Sequence, residues 1–428
     1  MTSMRLKDRC VKIGSGATPR GGKGVYFELG NVALIRSQNI YNNRFERKGL
    51  VFISQEHAEQ LRNVEVFEND ILLNITGDSV ARVCQVPRDV TPARVNQHVA
   101  IIRPEPSKLN PKYFRFYLSC PQMQSAMLSL AASGATRNAL TKGMIESFQV
   151  PAVSLRIQRK IAELLGALEE KIELNRQMNE TLEAMARAIF KDWFIDFGPT
   201  RAKAEGRAPY LPPELWDLFP STLDNDGKPS GWERGTLADI AESSRRSINP
   251  ADVSGDTPYI GLEHMPRKSI ALSNWENAAK ISSNKTQFNK GDILFGKLRP
   301  YFHKVGVAPL TGICSTDIVV AVPRSEHWAA FTLACLSSGE FVDYASRTST
   351  GTRMPRTSWK TMAQYEICLP SKQIVLAFQG LIQSILDRIN ANIHNTSTLT
   401  GTRDLLLPKL MSGEIRVGDV RAAAGGVT

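Results

Sequence analysis

No apolar run in this 428-residue chain approaches the roughly 18 residues that a membrane-spanning helix needs. The first ten residues, Met1–Cys10, carry charges where a secretory leader has an apolar core. Integral-membrane and secreted proteins are excluded on these grounds, and a bacterial or archaeal cytoplasm is expected. Cysteine is sparse: Cys10, Cys84, Cys120, Cys314, Cys335 and Cys368 form no CxxC pair and have no histidine close enough in sequence to complete a zinc site. They read as small thiols in a reducing compartment. Catalytic signatures are missing too. There is no GxxxxGK[ST] phosphate loop, no GxSxG elbow, no HExxH pair and no clustered carboxylates. Gly14 and Gly16 open like a dinucleotide fingerprint, but Pro19 stands where the third glycine belongs. Pro212-Pro213 lacks the flanking Asn or Asp and the aromatic of an amino-methyltransferase site. The chain is expected to make and break no bonds itself, and to bind no metal or cofactor.

What is present is a globular composition, 42% hydrophobic and 22% charged, with 53 Lys+Arg against 42 Asp+Glu and a net charge of +11. That excess points to an anionic partner, double-stranded DNA first. The length suits two or three domains.

The most informative feature is an internal repeat of about 220 residues. Asp70, Ile71 and Leu72 lie 222 positions before Asp292, Ile293 and Leu294, and Arg82, Val83 and Pro87 meet Lys304, Val305 and Pro309 at the same offset. His98–Pro104 corresponds to Asp317–Pro323, and Gly134–Arg137 to Gly351–Arg353. Leu6, Asp8 and Pro19 precede Leu237, Asp239 and Pro250 by 231. A period this long means two copies of a whole domain rather than a solenoid unit. Strand signals at Ile71–Ile75, Val99–Ile102, Ile293–Phe295 and Ile318–Val322 alternate with helical stretches near Pro111–Leu130 and Trp328–Tyr344. The fold class is therefore α+β.

Each copy is followed by a heptad seam. Ile161, Leu165, Leu168, Ile172, Asn175, Asn179, Leu182, Ala186 and Ile189 recur at spacings of four and three. The same rhythm returns 217 residues on at Phe378, Ile382, Ile385, Ile389, Asn392, Thr396, Leu399, Arg403 and Leu406. Matched polar seam residues, Asn175 and Asn392, predict that the two helices pair with each other, since a buried polar pair fixes register. Residues 156–192 hold seven Lys/Arg against seven Asp/Glu and residues 373–411 three against two, so the basic excess lies in the globules.

Several loops combine basic and amide side chains, the types that read base edges. In the first globule the candidates are Arg20, Arg36, Gln38, Asn39, Arg94, Asn96, Gln97, Thr136 and Arg137. In the second they are Lys297, Arg299, Tyr301, His303, Lys304, Thr316, Thr352, Arg353 and Arg356.

Four stretches, Gln158–Asn175, Asn179–Phe190, Leu211–Trp216 and above all Arg403–Ile415, resemble the DNA-specificity subunits of type I restriction–modification systems, and with the duplication the resemblance spans nearly the whole chain. It implies two tandem target-recognition domains, each followed by a long helix. The two helices would pair as an antiparallel coiled coil around a pseudo-two-fold internal repeat. Each domain would read half of an asymmetric, bipartite DNA site, and the helices would set the spacer. The helices would also dock two modification (methyltransferase) subunits, which carry S-adenosylmethionine and methylate adenine N6. Restriction (helicase–nuclease) subunits would use ATP and Mg²⁺. The expected boundaries are 1–153 and 233–371 for the recognition domains, 154–195 and 372–415 for the helices, 196–232 for an extended Pro-rich connector and 416–428 for a disordered tail. The second helix departs from the family pattern in its low charge and in Gly401, so its far end is expected to be less rigid. A stand-alone DNA-binding regulator is the competing reading. It leaves the apolar helix surface of Leu164, Ala167, Ala184, Met185 and Ala188 without a partner.

Overall fold

A computed structural model describes residues 3–133, 138–244 and 246–420. The chain divides into two compact units, Met1–Glu170 with Leu399–Thr428, and Lys171–Thr398, so that each unit takes a globule and a part of both long helices.

The first globule is built around the strand Val99–Pro104, whose side chains alternate between two cores. Ala100 and Ile102 face helices Pro111–Ser119 and Pro121–Ala132 through Tyr113, Phe114 and Met127, while Val99 and Ile101 face a second sheet through Ala93 and Val95. Period-two alternation with both faces covered explains why the strand reads as an unbroken apolar run. Each such buried Ile or Val contributes about 1.5–3 kcal/mol. The first sheet runs Cys10–Ser15, Val99–Pro104, Ile71–Asn74, Val83–Gln85, all antiparallel. The second runs Val51–Ile53, Val32–Ile35, Ala93–Val95, Glu65–Val66, and its Ala93–Val95 and Val32–Ile35 are parallel.

The second globule repeats this plan. Ala241–Ser243, Ile318–Pro323, Ile293–Gly296 and Val305–Val307 form the equivalent first sheet. In its second sheet Pro258–Ile260 runs parallel to Gly312–Cys314, the counterpart of the parallel pair in the first globule. Phe295, Val319 and Ala321 face the helical core, and Leu294, Ile318 and Val320 the opposite one. Each of the two helical stretches expected from sequence is two helices. The first breaks before Pro121, and the second at Ser337-Ser338, where Ser338 caps Gly339–Arg347 by accepting from the Phe341 amide.

The long helices run Leu155–Phe190, extended by one π-helical turn at Lys191–Ile195, and Lys372–Ser412. At 1.5 Å per residue the two are roughly 54 and 62 Å long. Within the second unit Asn175 Nδ2 donates to Thr396 Oγ1 at 3.2 Å and Asn392 Nδ2 to Asn179 Oδ1 at 2.8 Å. Numbers rise on one helix as they fall on the other, so the pairing is antiparallel. The two seam asparagines do not meet each other; each bonds the residue four places along its partner's seam. Within the first unit Ile161 and Leu165 share a core with Leu407, Leu410 and Met411. Leu406, expected on the seam, packs against this core. Asn392→Leu leaves Asn179 buried without its donor and should cost about 1–3 kcal/mol. Adding Asn179→Leu should recover most of it, a coupling that a double-mutant cycle of melting curves measures.

The second helix is continuous through Gly401. Two expectations are corrected here. The connector is not merely extended: Phe219 and Trp232 pack with Trp193 and Phe194 in the second unit's core, with ring centroids 5.0 Å apart for Trp193–Phe219. The tail does not begin at 416, because 417–420 are helical and Val417 is buried in the first unit's core.

Candidate nucleic-acid interface

In the second globule, three segments far apart in sequence meet beyond the C-terminal end of strand Ile293–Gly296. The Lys297 amide donates to the Asp317 carbonyl at 2.9 Å, the Thr357 amide to the Lys297 carbonyl at 3.0 Å, and the Arg299 amide to the Pro355 carbonyl at 2.7 Å. Arg356 pairs with Asp317 at 3.3 Å, and Thr350 and Arg356 exchange backbone bonds across a turn whose Gly351 has φ +96°. Tyr301, Thr316, Thr352, Arg353 and Arg356 are exposed on the surface so formed, with Lys297 and Arg299 half-buried among them.

The first globule gathers the equivalent segments. The Gly16 amide bonds the Val99 carbonyl, the Asn96 amide that of Ile35, the Ile75 amide that of His98 and the Leu140 amide that of Ile75. Gly16 is required for this convergence, since a Cβ there would lie 2.2 Å from the Val95 carbonyl oxygen. Arg20, Gln38 and Gln97 are exposed. Arg36 is half-buried, donating to the Gly49 carbonyl at 2.7 Å with its guanidinium over the Tyr26 ring. Thr136 and Arg137 lie outside the described residues.

Five of the sequence candidates are held inward. Asn39 is fully buried, accepting from the Arg36 amide and donating to the Glu46 carbonyl. Arg94 is 5% exposed and spends its guanidinium on the Ala58 and Ala93 carbonyls and on Glu65. Asn96 is buried and accepts from the His98 amide. His303 hydrogen-bonds the Ser337 carbonyl at 2.9 Å, and burial lowers its pKa. Lys304 donates to the Leu262 carbonyl. These side chains are engaged within their own globules. Thr18, in the same loop as Arg20, bonds Gln97, and Thr76 bonds His98; Thr76 was not signalled by sequence because a lone threonine carries no pattern.

Among the described residues no group of three or more His, Cys, Asp or Glu is placed to hold a metal ion, and no helix is long and apolar enough to cross a membrane. Burial pushes the Cys84, Cys314 and Cys335 thiols up to about 12, which keeps them protonated and unreactive.

Residues 1–184 and 229–400 match the family model for the type I restriction modification DNA specificity domain, one match over each repeat. The chain is 25% identical over 439 residues to the HindI specificity subunit of Haemophilus influenzae, covering 90% of this chain and 94% of that protein. It is 26% identical over 318 residues to the MjaIX specificity subunit of Methanocaldococcus jannaschii, covering 72% and 70%. Its fold matches the crystal structure of a type I restriction–modification S subunit from M. genitalium with a TM-score of 0.56 over 96% of this chain and 95% of that one, at 15% identity.

Proposed function

We propose, from the premise that this chain belongs to the type I restriction–modification DNA-specificity family, that each of its globules reads one half of an asymmetric, bipartite DNA site. Sequence-specific DNA recognition within a type I system is the function of the chain. The observation that supports the two-reader form is the convergence, in each globule separately, of loops distant in sequence onto one exposed polar face. The exposed Arg and Gln side chains there have the bidentate geometry that distinguishes guanine and adenine in the major groove. The two faces carry different residues, so the half-sites differ and the site is not a palindrome.

The chain makes no bonds itself and binds no cofactor in this reading. Two modification subunits bring S-adenosylmethionine and methylate adenine N6, and restriction subunits bring ATP and Mg²⁺. The helix surface supports such docking: Ala167, Ala184, Met185 and Ala188 are exposed although the helix pairs along its other face, while Leu164 is partly covered. A regulator acting alone has no use for that apolar strip.

The test is single-molecule methylation sequencing of host DNA with and without the gene. Loss of one bipartite N6-methyladenine motif is expected. An unchanged methylome in a strain expressing the modification subunits would overturn the reading. Arg353→Ala with Arg356→Ala should relax the motif in one half only, by about 1–3 kcal/mol of discrimination per base contacted. Relaxation in both halves would show that the globules do not read independently.

A further inference from the structure

One arrangement occurs in both globules and was not visible in sequence: a single aromatic ring flanked by two arginine guanidiniums. In the first globule the ring is Tyr41, 36% exposed, with Arg44 Cζ 5.0 Å and Arg82 Cζ 4.7 Å from its centroid. In the second it is Phe302, with Arg267 Cζ at 3.9 Å and Arg299 Cζ at 5.9 Å. The contributing segments correspond. Tyr41 and Arg44 sit in the hairpin after strand Val32–Ile35, and Arg267 in the turn after its counterpart Pro258–Ile260. Arg82 ends the loop between Ile71–Asn74 and Val83–Gln85, while Arg299 and Phe302 lie in the equivalent loop between Ile293–Gly296 and Val305–Val307. The ring comes from the first segment in one globule and from the second segment in the other, which is why no fixed sequence offset aligns the two clusters.

Two guanidiniums on one ring repel each other, and attraction to the ring faces offsets this by only about 0.5–1 kcal/mol each at exposed sites. Acidic side chains do little to relieve it. Among the described residues Arg82, Arg267 and Arg299 form no ion pair with a carboxylate, and Arg44 has only Glu46 at 3.4 Å. Each guanidinium is held at its ring, and Arg299 Nη2 also donates to the Arg353 carbonyl at 3.4 Å; a guanidinium's fixed fork of donors suits a phosphate oxygen pair. The loops are also held in costly conformations. Ala81, next to Arg82, has φ +70°, and Arg299 and His303, on either side of Phe302, have φ +51° and +52°. Left-handed backbone at residues with a Cβ gathers at functional sites.

We propose that Tyr41–Arg44–Arg82 and Phe302–Arg267–Arg299 are phosphate clamps, one per globule, that grip the DNA backbone beside each half-site. They fix register without reading sequence. The assignment rests on the DNA-recognition function above, and it moves Arg299 from base reading to backbone contact.

The test uses the full chain assembled with its modification subunits. Binding is titrated with NaCl on two duplexes, one carrying the motif found by methylation sequencing and one scrambled. Arg82→Gln and Arg267→Gln should each weaken both duplexes by the same factor, about five- to ten-fold. Each should lower the slope of log affinity against log salt by about one. Arg82→Lys and Arg267→Lys keep the charge, so the slope should stay that of the wild type while affinity falls. A loss confined to the motif duplex would assign these arginines to base reading and overturn the clamp, as would an unchanged salt slope in the glutamine variants. Equal slopes for the lysine and glutamine variants, with a lowered melting temperature, would make the residues structural and overturn it too. A wild-type complex that binds both duplexes equally removes the recognition function instead, and the variants' salt slopes still decide the clamp.

Discussion

Seven residues inserted after Gln177 together with seven after Ile393 should lengthen the spacer of the methylated motif by about three base pairs and leave both half-site sequences as they are. The two insertion points face each other in the antiparallel pairing. Both fall between the Asn175–Thr396 and Asn392–Asn179 hydrogen bonds, so each bond keeps its partner. One heptad preserves the seam and adds about 10.5 Å of helix, against about 3.4 Å per base-pair step. An insertion in only one helix slides the seam residues on one side of it past their partners and should abolish site-specific methylation. Methylation sequencing of strains carrying each variant reads both outcomes. A motif with its original spacer in the double insertion would show that the helices are not the ruler.

Glu169→Ala should destabilise the first unit by about 3–5 kcal/mol, because it strands a buried charge. Arg115 is 3% exposed and holds Glu169 through both terminal nitrogens, with Asn43 Oδ1 accepting from Nη1 at 2.6 Å. This pair joins helix Pro111–Ser119 to the first long helix inside the unit. For a unit of this size the loss corresponds to a fall of roughly 6–12 °C in its melting transition. The double change Arg115→Met with Glu169→Leu should restore most of the stability, since a packed apolar pair of similar volume is often as stable as a buried ion pair. A single change costing under about 1 kcal/mol would mean that water reaches the guanidinium.

In the second unit, Glu183 plays a comparable part. It is 2% exposed and accepts from Ser269 Oγ at 2.7 Å and from the Ile270 and Ala271 amides at 3.1 and 3.3 Å, tying the first long helix to the strand-flanking turn of its globule. Burial raises its carboxyl pKa even so. In sequence Glu183 is one of seven acids on a mixed-charge helix, and nothing in the spacing marks it off.

The sequence by itself determined the duplication, the α+β class of each copy and the two long helices with polar breaks in their seams. These follow from composition, fixed offsets and periodicity, which are properties of a chain read locally: a strand buried on both faces must be continuously apolar, and a helix that pairs must repeat every seven residues. Only the tertiary structure decided which polar loop residues are available. Asn39, Arg94 and Asn96 are amide and basic side chains like Gln38, Arg20 and Gln97, yet they are buried: Arg94 bonds the Ala58 carbonyl of another segment, and Asn39 and Asn96 bond the Glu46 carbonyl and the His98 amide of their own loops. It likewise decided that Asn175 meets Thr396 rather than Asn392, that Phe219 and Trp232 turn a proline-rich connector into core, and that an arginine at 82 shares a ring with one at 44. Burial and partner choice are set by what the rest of the chain brings to a point in space, and that information is not held at any one stretch of sequence.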